Sequence, residues 1–104
     1  MLPQDQIIHK IRSGDSIAIN QLYEKYFNSI AKYVLENSGD IEDAKDIFQD
    51  AIMVLYNKSK DANFKLTSSI HTYIFSISKN LWLKKIRNRR SKSSDLLENL
   101  ELID

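Results

Sequence analysis

Acidic residues cluster on one side of a predicted helix near the middle of the chain. At about 100° per residue, one sector holds four acids, two amides and a methionine: Glu42, Asp43, Asp46, Gln49, Asp50, Met53 and Asn57. Like charges three or four residues apart cost a helix a few tenths of a kcal/mol per pair. This acidic face indicates a docking surface for a basic partner helix, although a solvated face or a divalent-metal site remains an alternative.

Basic residues are segregated further along the chain. Residues 79–92 hold seven Lys/Arg and no acid, whereas residues 93–104 hold four acids and no base. The formal net charge of +1 therefore conceals a basic block. A basic block of this kind indicates a polyanionic partner. Cations also suit the C-terminus of a helix, so a solvated helix end is the alternative.

One narrow strip of the fourth predicted helix lies between two apolar stripes. We call it the polar strip, and it consists of Tyr73, Ser76, Asn80, Lys84 and Arg87. It offers an aromatic ring for stacking, an amide for a base edge and two cations for phosphates. The strip predicts contact with nucleic acid. In the alternative interpretation, Tyr73 belongs to the core and the cations are solvated.

Catalysis finds little support in the sequence. His9 and His71 have no Ser or Cys partner at a nucleophilic spacing, and the chain has no glycine-rich phosphate loop. It also has no cysteine, which excludes cysteine-ligated zinc and fits a reducing compartment such as the cytoplasm. We therefore expect no enzymatic activity and no cofactor.

The 104 residues fit one domain, and the scarcity of Gly (2) and Pro (1) favours helices. Helical spacing and capping residues predict four helices, at about 4–12, 16–35, 41–57 and from Ser68 or Ser69 to about Arg90. Asp15 or Ser16 is predicted to cap the second helix and Asp40 the third, and Gly39 is predicted to end the second in a left-handed conformation. The expected fold is an all-α compact bundle of about four helices, the fourth long and basic at its C-terminal end. No apolar run reaches the ~20 residues of a membrane span, so no membrane insertion is expected.

Three segments, in order, resemble the region-two domain of bacterial sigma factors, particularly the extracytoplasmic-function group. They are GDSIAINQLYEKYFNSI, GDIEDAKDIFQDAIMVLY and SSIHTYIFSISKNLWLKKIRNRRSK. These are similar to the family's opening helix, central helix and promoter-reading helix. The resemblance implies a transcription-initiation domain over residues 1–92. Residues 93–104 are then an acidic tail or the start of an interdomain linker.

The resemblance also implies partners for the two polar faces. The central helix would dock on the clamp helices of the β′ subunit of core RNA polymerase, through Asp43, Asp46, Gln49, Asp50, Met53 and Tyr56. The fourth helix and the loop before it would bind the single-stranded non-template strand of the promoter minus-ten element, with one base flipped out. By position, the loop residues are Lys58, Lys60, Asn63, Phe64 and Lys65, and the helix residues are Tyr73, Ser76, Asn80, Lys84, Arg87 and Arg90. Whether an anti-sigma factor binds the domain is left open.

Three residues depart from the family's usual pattern. Lys84 stands where an aspartate is usual, Tyr73 where a tryptophan is usual, and Trp82 where a small residue is common. The alternatives to a sigma-factor domain are a polymerase-independent helical DNA-binding regulator, a protein-interaction module and a small metal-dependent hydrolase. A helix-turn-helix regulator is disfavoured because its recognition helix follows a short turn, whereas about ten residues precede the fourth helix here.

Overall fold

The chain folds into four helices joined by short connections. The computed structural model describes the backbone of residues 4–103 and the side chains of residues 6–92. The helices are α1 (Gln4–Arg12), α2 (Ser16–Glu36), α3 (Ile41–Ser59) and α4 (Ile70–Ile103). Residues 4–103 contain no strand, so the predicted all-α bundle is confirmed. Within the same range, no helix combines the length and the apolar character that a bilayer crossing requires.

Short polar side chains start three of these helices, as the sequence predicts. Asp15 caps α2 by accepting hydrogen bonds from two backbone amides of its first turn. Asp40 and Asp43 form a reciprocal capping box at α3, with N–O distances of 2.8 and 3.0 Å. At α4, the Ser69 hydroxyl accepts a hydrogen bond from the backbone N–H of Thr72 at 3.1 Å. Each cap satisfies an amide that would otherwise lack a partner.

The core lies where all four helices meet, around the fully buried side chains of Ile11, Ile30, Phe48, Leu55 and Trp82. Aromatic residues of α2 pack on both neighbouring helices. Tyr23 meets Phe48 of α3 edge-on, and Tyr33 meets Phe75 of α4, with ring centroids 4.6 and 5.6 Å apart respectively. Successive contacts from Tyr26–His71 to Tyr33–Phe75 show that α2 and α4 run in the same direction.

In the turn between α2 and α3, one prediction is wrong. The residue with a left-handed conformation is Ser38 (φ 74°), not Gly39. Gly39 is needed for space instead, because a Cβ atom at that position would overlap the Val34 side chain and lie 2.7 Å from the Trp82 ring. The indole N–H of Trp82 donates a 3.0 Å hydrogen bond to the carbonyl of Asn37. The large Trp82 side chain therefore packs against the turn between α2 and α3, where the absence of a side chain at Gly39 leaves room for its ring.

The predicted end of α4 is also wrong. We expected the helix to end near Arg90, but it continues to Ile103. The segment after Arg90 contains no Gly or Pro, and Leu96, Leu100 and Ile103 recur at helical spacing. The change of charge sign does not interrupt a helix, so the basic block lies in the middle of α4 rather than at its end. The side chains of 93–104 lie outside the described residues, and the domain boundary at 92 stays a prediction.

Candidate nucleic-acid interface and the acidic face

The acidic face lies on the side of α3 that points away from the core. Asp46, Gln49, Asp50 and Met53 are all exposed, and half of the Met53 surface (51%) is open to solvent. The opposite side of α3 is buried. The structure therefore brings four of the six predicted docking residues onto one accessible surface.

The remaining two predicted docking residues are engaged within the fold. The Asp43 carboxylate accepts hydrogen bonds from the Arg89 guanidinium at 2.7 and 3.4 Å and from the Asp40 backbone at 3.0 Å. The hydrogen bond from Arg89, followed by that from Asp40, lowers the pKa of Asp43 from 3.8 to about 2. Tyr56 is half-buried, and the ammonium of Lys60 lies 4.5 Å from the centre of its ring. A docking role for Asp43 and Tyr56 remains a prediction.

Two cations of the basic block, Lys85 and Arg89, pair with acids of α3 while staying partly exposed. Arg89 bonds Asp43 and also lies 5.4 Å from the Trp82 ring. The Lys85 ammonium approaches the Asp46 carboxylate at 4.0 Å. These contacts neutralise part of the block, and they join α4 to the acidic face. Sequence spacing does not show these pairs, because the partners are separated by about forty residues or more.

The polar strip lies on the solvent side of α4, except at its first residue. Ser76, Asn80, Lys84 and Arg87 are exposed, as is Arg90 beyond them. Tyr73 is half-buried beside Phe64, with ring centroids 5.7 Å apart, and burial raises the pKa of its hydroxyl. The strip therefore combines a half-buried aromatic pair at one end with accessible polar groups along the rest of its length.

The loop before α4 is held in place by a local turn and an aromatic anchor. The carboxylate of Asp61 accepts a hydrogen bond from the Asn63 backbone at 2.9 Å, and its carbonyl accepts one from the Phe64 backbone at 3.0 Å. Phe64 and Leu66 pack against the core. Of the other predicted loop contacts, Lys60, Asn63 and Lys65 are exposed in the loop, whereas Lys58 is exposed in the last turn of α3, which extends to Ser59 and not to the predicted Asn57. The loop thus presents cations and an amide next to the aromatic pair.

A cleft of about 620 Å³ separates the middle of α4 from the turn between α2 and α3. We call it the turn cleft, and its lining comprises Glu36, Asn37, Ser38, Asn80, Leu83, Ile86, Arg87 and Arg90. Three predicted DNA-binding residues, Asn80, Arg87 and Arg90, therefore lie opposite residues 36–38, which the sequence did not suggest as part of the site. No spacing rule connects that segment to α4, because tertiary packing places them side by side, with the Trp82 indole N–H bonded to the Asn37 carbonyl.

A second cleft, of about 500 Å³, lies between α2 and the first half of α4. It is lined by Ser29, His71, Thr72, Phe75, Ser76 and Lys79. His71, which the sequence left without a role, stacks on Tyr26 with ring centroids 4.8 Å apart and lies 3.2 Å from the Ser29 hydroxyl. Over the part of the chain whose side chains are described, no group of three or more His, Cys, Asp or Glu is placed to hold a metal ion.

Comparison with known proteins identifies the family. The sequence model of the Sigma-70 region 2 family matches residues 22–92, which is more than half of the chain. The RNA polymerase sigma-H factor of Pseudomonas aeruginosa is 28% identical over 101 residues, covering 92% of this chain and 51% of that protein. The chain thus spans about half the length of this relative. No solved structure gives a significant match. The chain therefore belongs to the sigma-70 region 2 family, the helical domains of sigma factors in transcription initiation.

Proposed function

We propose that this chain is the non-enzymatic region-two domain of a cytoplasmic sigma factor of the extracytoplasmic-function group. It docks on the β′ clamp helices of core RNA polymerase and binds the non-template strand of the minus-ten element. One observation carries the proposal: the acidic face on α3 and the polar strip on α4 are both accessible on one packed bundle. Membership of the sigma-70 region 2 family supports it, and the three resembling segments suggest the group.

The docking surface consists of Asp46, Gln49, Asp50 and Met53. Two carboxylates attract a basic helix and orient it. The flexible Met53 side chain adapts its shape to an apolar partner surface, and the amide of Gln49 can donate or accept a hydrogen bond. Asp50 is suited to testing the surface, because its side chain is exposed and makes no salt bridge among the described side chains.

A pull-down of purified core RNA polymerase tests the docking. Asp50→Arg reverses one charge at the centre of the surface and should abolish capture. Glu24→Arg is the matched control, because Glu24 is an exposed acid on α2, outside the acidic face. The control should capture polymerase as the wild type does. Undiminished capture by Asp50→Arg, with its circular dichroism unchanged, would contradict the docking surface.

The DNA surface combines the polar strip with the loop before α4. From Tyr73 to Arg87 the helix rises about 21 Å at ~1.5 Å per residue, which is the length of about six stacked nucleotides at ~3.4 Å each. Lys84 and Arg87 bind phosphates, and the Asn80 amide contacts a base edge. Unstacking a base costs a few kcal/mol. The Phe64–Tyr73 pair can offset part of that cost by stacking.

Binding of single-stranded promoter DNA at several salt concentrations tests the surface. Arg87→Ala should reduce the slope of log affinity against log salt by about one, for every DNA sequence. Asn80→Ala should keep the slope and weaken the preference for the minus-ten sequence. Lys25→Ala, an exposed cation on α2, is the control that should leave both unchanged. Binding without salt dependence would favour a protein-interaction module instead.

A further inference from the structure

The turn cleft contains chemical groups that the simple phosphate-binding role of α4 does not need. Leu83, on the exposed side of α4 with 39% of its surface open to solvent, contributes an apolar contact, as does Ile86. Glu36 contributes a carboxylate, which repels phosphate. Two of its eight lining residues are apolar and six are polar, and its volume lies in the range of sites for small organic groups. A nucleobase has an apolar face and a polar edge, and it matches this lining.

The polar groups of the turn cleft are available to a ligand. Within the described residues, Glu36, Asn80, Arg87 and Arg90 form no salt bridge and no side-chain hydrogen bond to one another or to neighbours. Arg89, in the same basic block, is held by Asp43. Of the seven cations of the basic block, Lys85 and Arg89 are therefore engaged in the fold, and Arg87 and Arg90 line the turn cleft.

The turn wall of the cleft is fixed before any ligand arrives. The Asn37 carbonyl accepts the Trp82 indole hydrogen bond at 3.0 Å, and the backbone N–H groups of Asn37 and Gly39 donate to the Val34 carbonyl at 3.1 and 2.9 Å. Trp82 is fully buried. A preformed wall lowers the entropy cost of binding.

We propose that the turn cleft binds one unstacked nucleobase that carries an exocyclic amino group, as part of the strand held by α4. Glu36 accepts a hydrogen bond from the amino group, since a carboxylate can only accept. Arg87 and Arg90 hold the neighbouring phosphates, away from the carboxylate. Cytosine, adenine and guanine carry such an amino group on their pairing edges, whereas thymine has a carbonyl oxygen where cytosine has its amino group. This inference rests on the proposed function, because Arg87 and Arg90 also belong to the proposed DNA surface.

Affinity for short oligo(dC) and oligo(dT) of equal length, measured by NMR titration of the whole ¹⁵N-labelled chain, tests the proposal. The two pyrimidines differ mainly in the amino or carbonyl group that faces Glu36. Wild type should bind oligo(dC) roughly five- to tenfold more tightly, the lower end of what a specific base contact provides. The backbone amides of 36–38 should shift during the titration.

Glu36→Ala should bring the oligo(dC)/oligo(dT) ratio close to one, and it should raise affinity for oligo(dT) because a negative charge is removed. Glu24→Ala, on the same helix and away from the turn cleft, removes the same charge and should keep the ratio. A ratio near one in wild type, a ratio that survives Glu36→Ala, or shifts confined to residues 58–65 would each overturn the proposal.

The same titrations separate this inference from the proposed function. Salt-dependent binding of both oligonucleotides that Arg87→Ala weakens, without any dC/dT preference, would overturn the base site and leave the DNA-binding function standing. If neither oligonucleotide binds in a salt-dependent manner, the proposed DNA-binding function fails, and the base site fails with it.

Discussion

Replacing Asp43 with alanine should destabilise the domain without preventing polymerase capture. The substitution removes three contacts of one carboxylate: two from the Arg89 guanidinium and one from the Asp40 backbone. The carboxylate is well shielded, with 13% of its side chain exposed, whereas Arg89 is about half exposed (51%). We therefore expect Asp43 to act mainly inside the fold, although its position in the sequence suggests a docking residue.

The size of the effect follows from these contacts. Loss of the capping-box carboxylate costs about 0.5–1 kcal/mol. Loss of a partly exposed ion pair costs about another 0.5–1 kcal/mol. The free energy of unfolding should then fall by roughly 1–2 kcal/mol. For a domain of about 100 residues this corresponds to a melting temperature lower by roughly 5–15 °C.

Thermal unfolding followed by circular dichroism measures this change, and Glu42→Ala is the matched control. Glu42 also lies in the first turn of α3, but 74% of its side chain is exposed and its ion pair is with Lys45, three residues away. Its replacement should cost about 0.3–0.5 kcal/mol. Both variants lose one acid of the acidic face, so both should capture polymerase well below their melting temperatures.

One combination of results would refute this reasoning. The refuting result is that Asp43→Ala melts at the wild-type temperature and fails to capture polymerase. The Asp43 carboxylate would then contact the polymerase and would not stabilise the junction of α3 and α4. The contacts with Arg89 and the Asp40 backbone would then contribute nothing measurable to stability.

Three further predictions concern the same packed elements. Gly39→Ala should lower the free energy of unfolding by about 1–3 kcal/mol in denaturant titrations, because its Cβ would press on the Trp82 ring; wild-type stability would contradict that approach. The stability difference between wild type and Asp43→Ala should be complete above pH 3.8 and shrink as pH falls towards 2, since Arg89 lowers the pKa of Asp43 to about 2; a difference that stays constant to pH 2 would argue against the contact. Arg89→Ala should change the salt slope of DNA binding less than Arg87→Ala does, because Asp43 already holds the Arg89 guanidinium; equal changes would show that both cations bind phosphate.

The starts of the helices could be predicted from sequence because their causes are local. Asp15, Asp40 and Ser69 each satisfy backbone amides two or three residues ahead, so composition and spacing suffice. The end of α4 could not be predicted in the same way. No glycine or proline marks it, and the change from basic to acidic residues has no effect on backbone hydrogen bonding.

The candidate site was predictable only where it lies on one helix. The exposed members of the polar strip follow from helical periodicity alone. The pairing of Asp43 with Arg89 joins residues 46 positions apart, and it changes which acids are accessible. Gly39 shows the same limit, because its role depends on the distant Trp82 ring as well as on the neighbouring Val34 side chain. Tertiary contacts therefore decide which charged residues of each face are free to bind a partner.

The most direct test of the account measures whether polymerase and promoter DNA meet on this one domain. Fluorescence anisotropy of a labelled single-stranded minus-ten oligonucleotide would be recorded with the domain, core RNA polymerase, or both. We predict a salt-sensitive ternary complex with wild type. Asp50→Arg should lose the ternary complex and keep the direct DNA binding of the free domain, because Asp50 lies on α3 and the DNA surface on α4. Two results would contradict the account. One is a ternary complex that Asp50→Arg leaves unchanged, and the other is equal DNA binding by core polymerase with and without the domain.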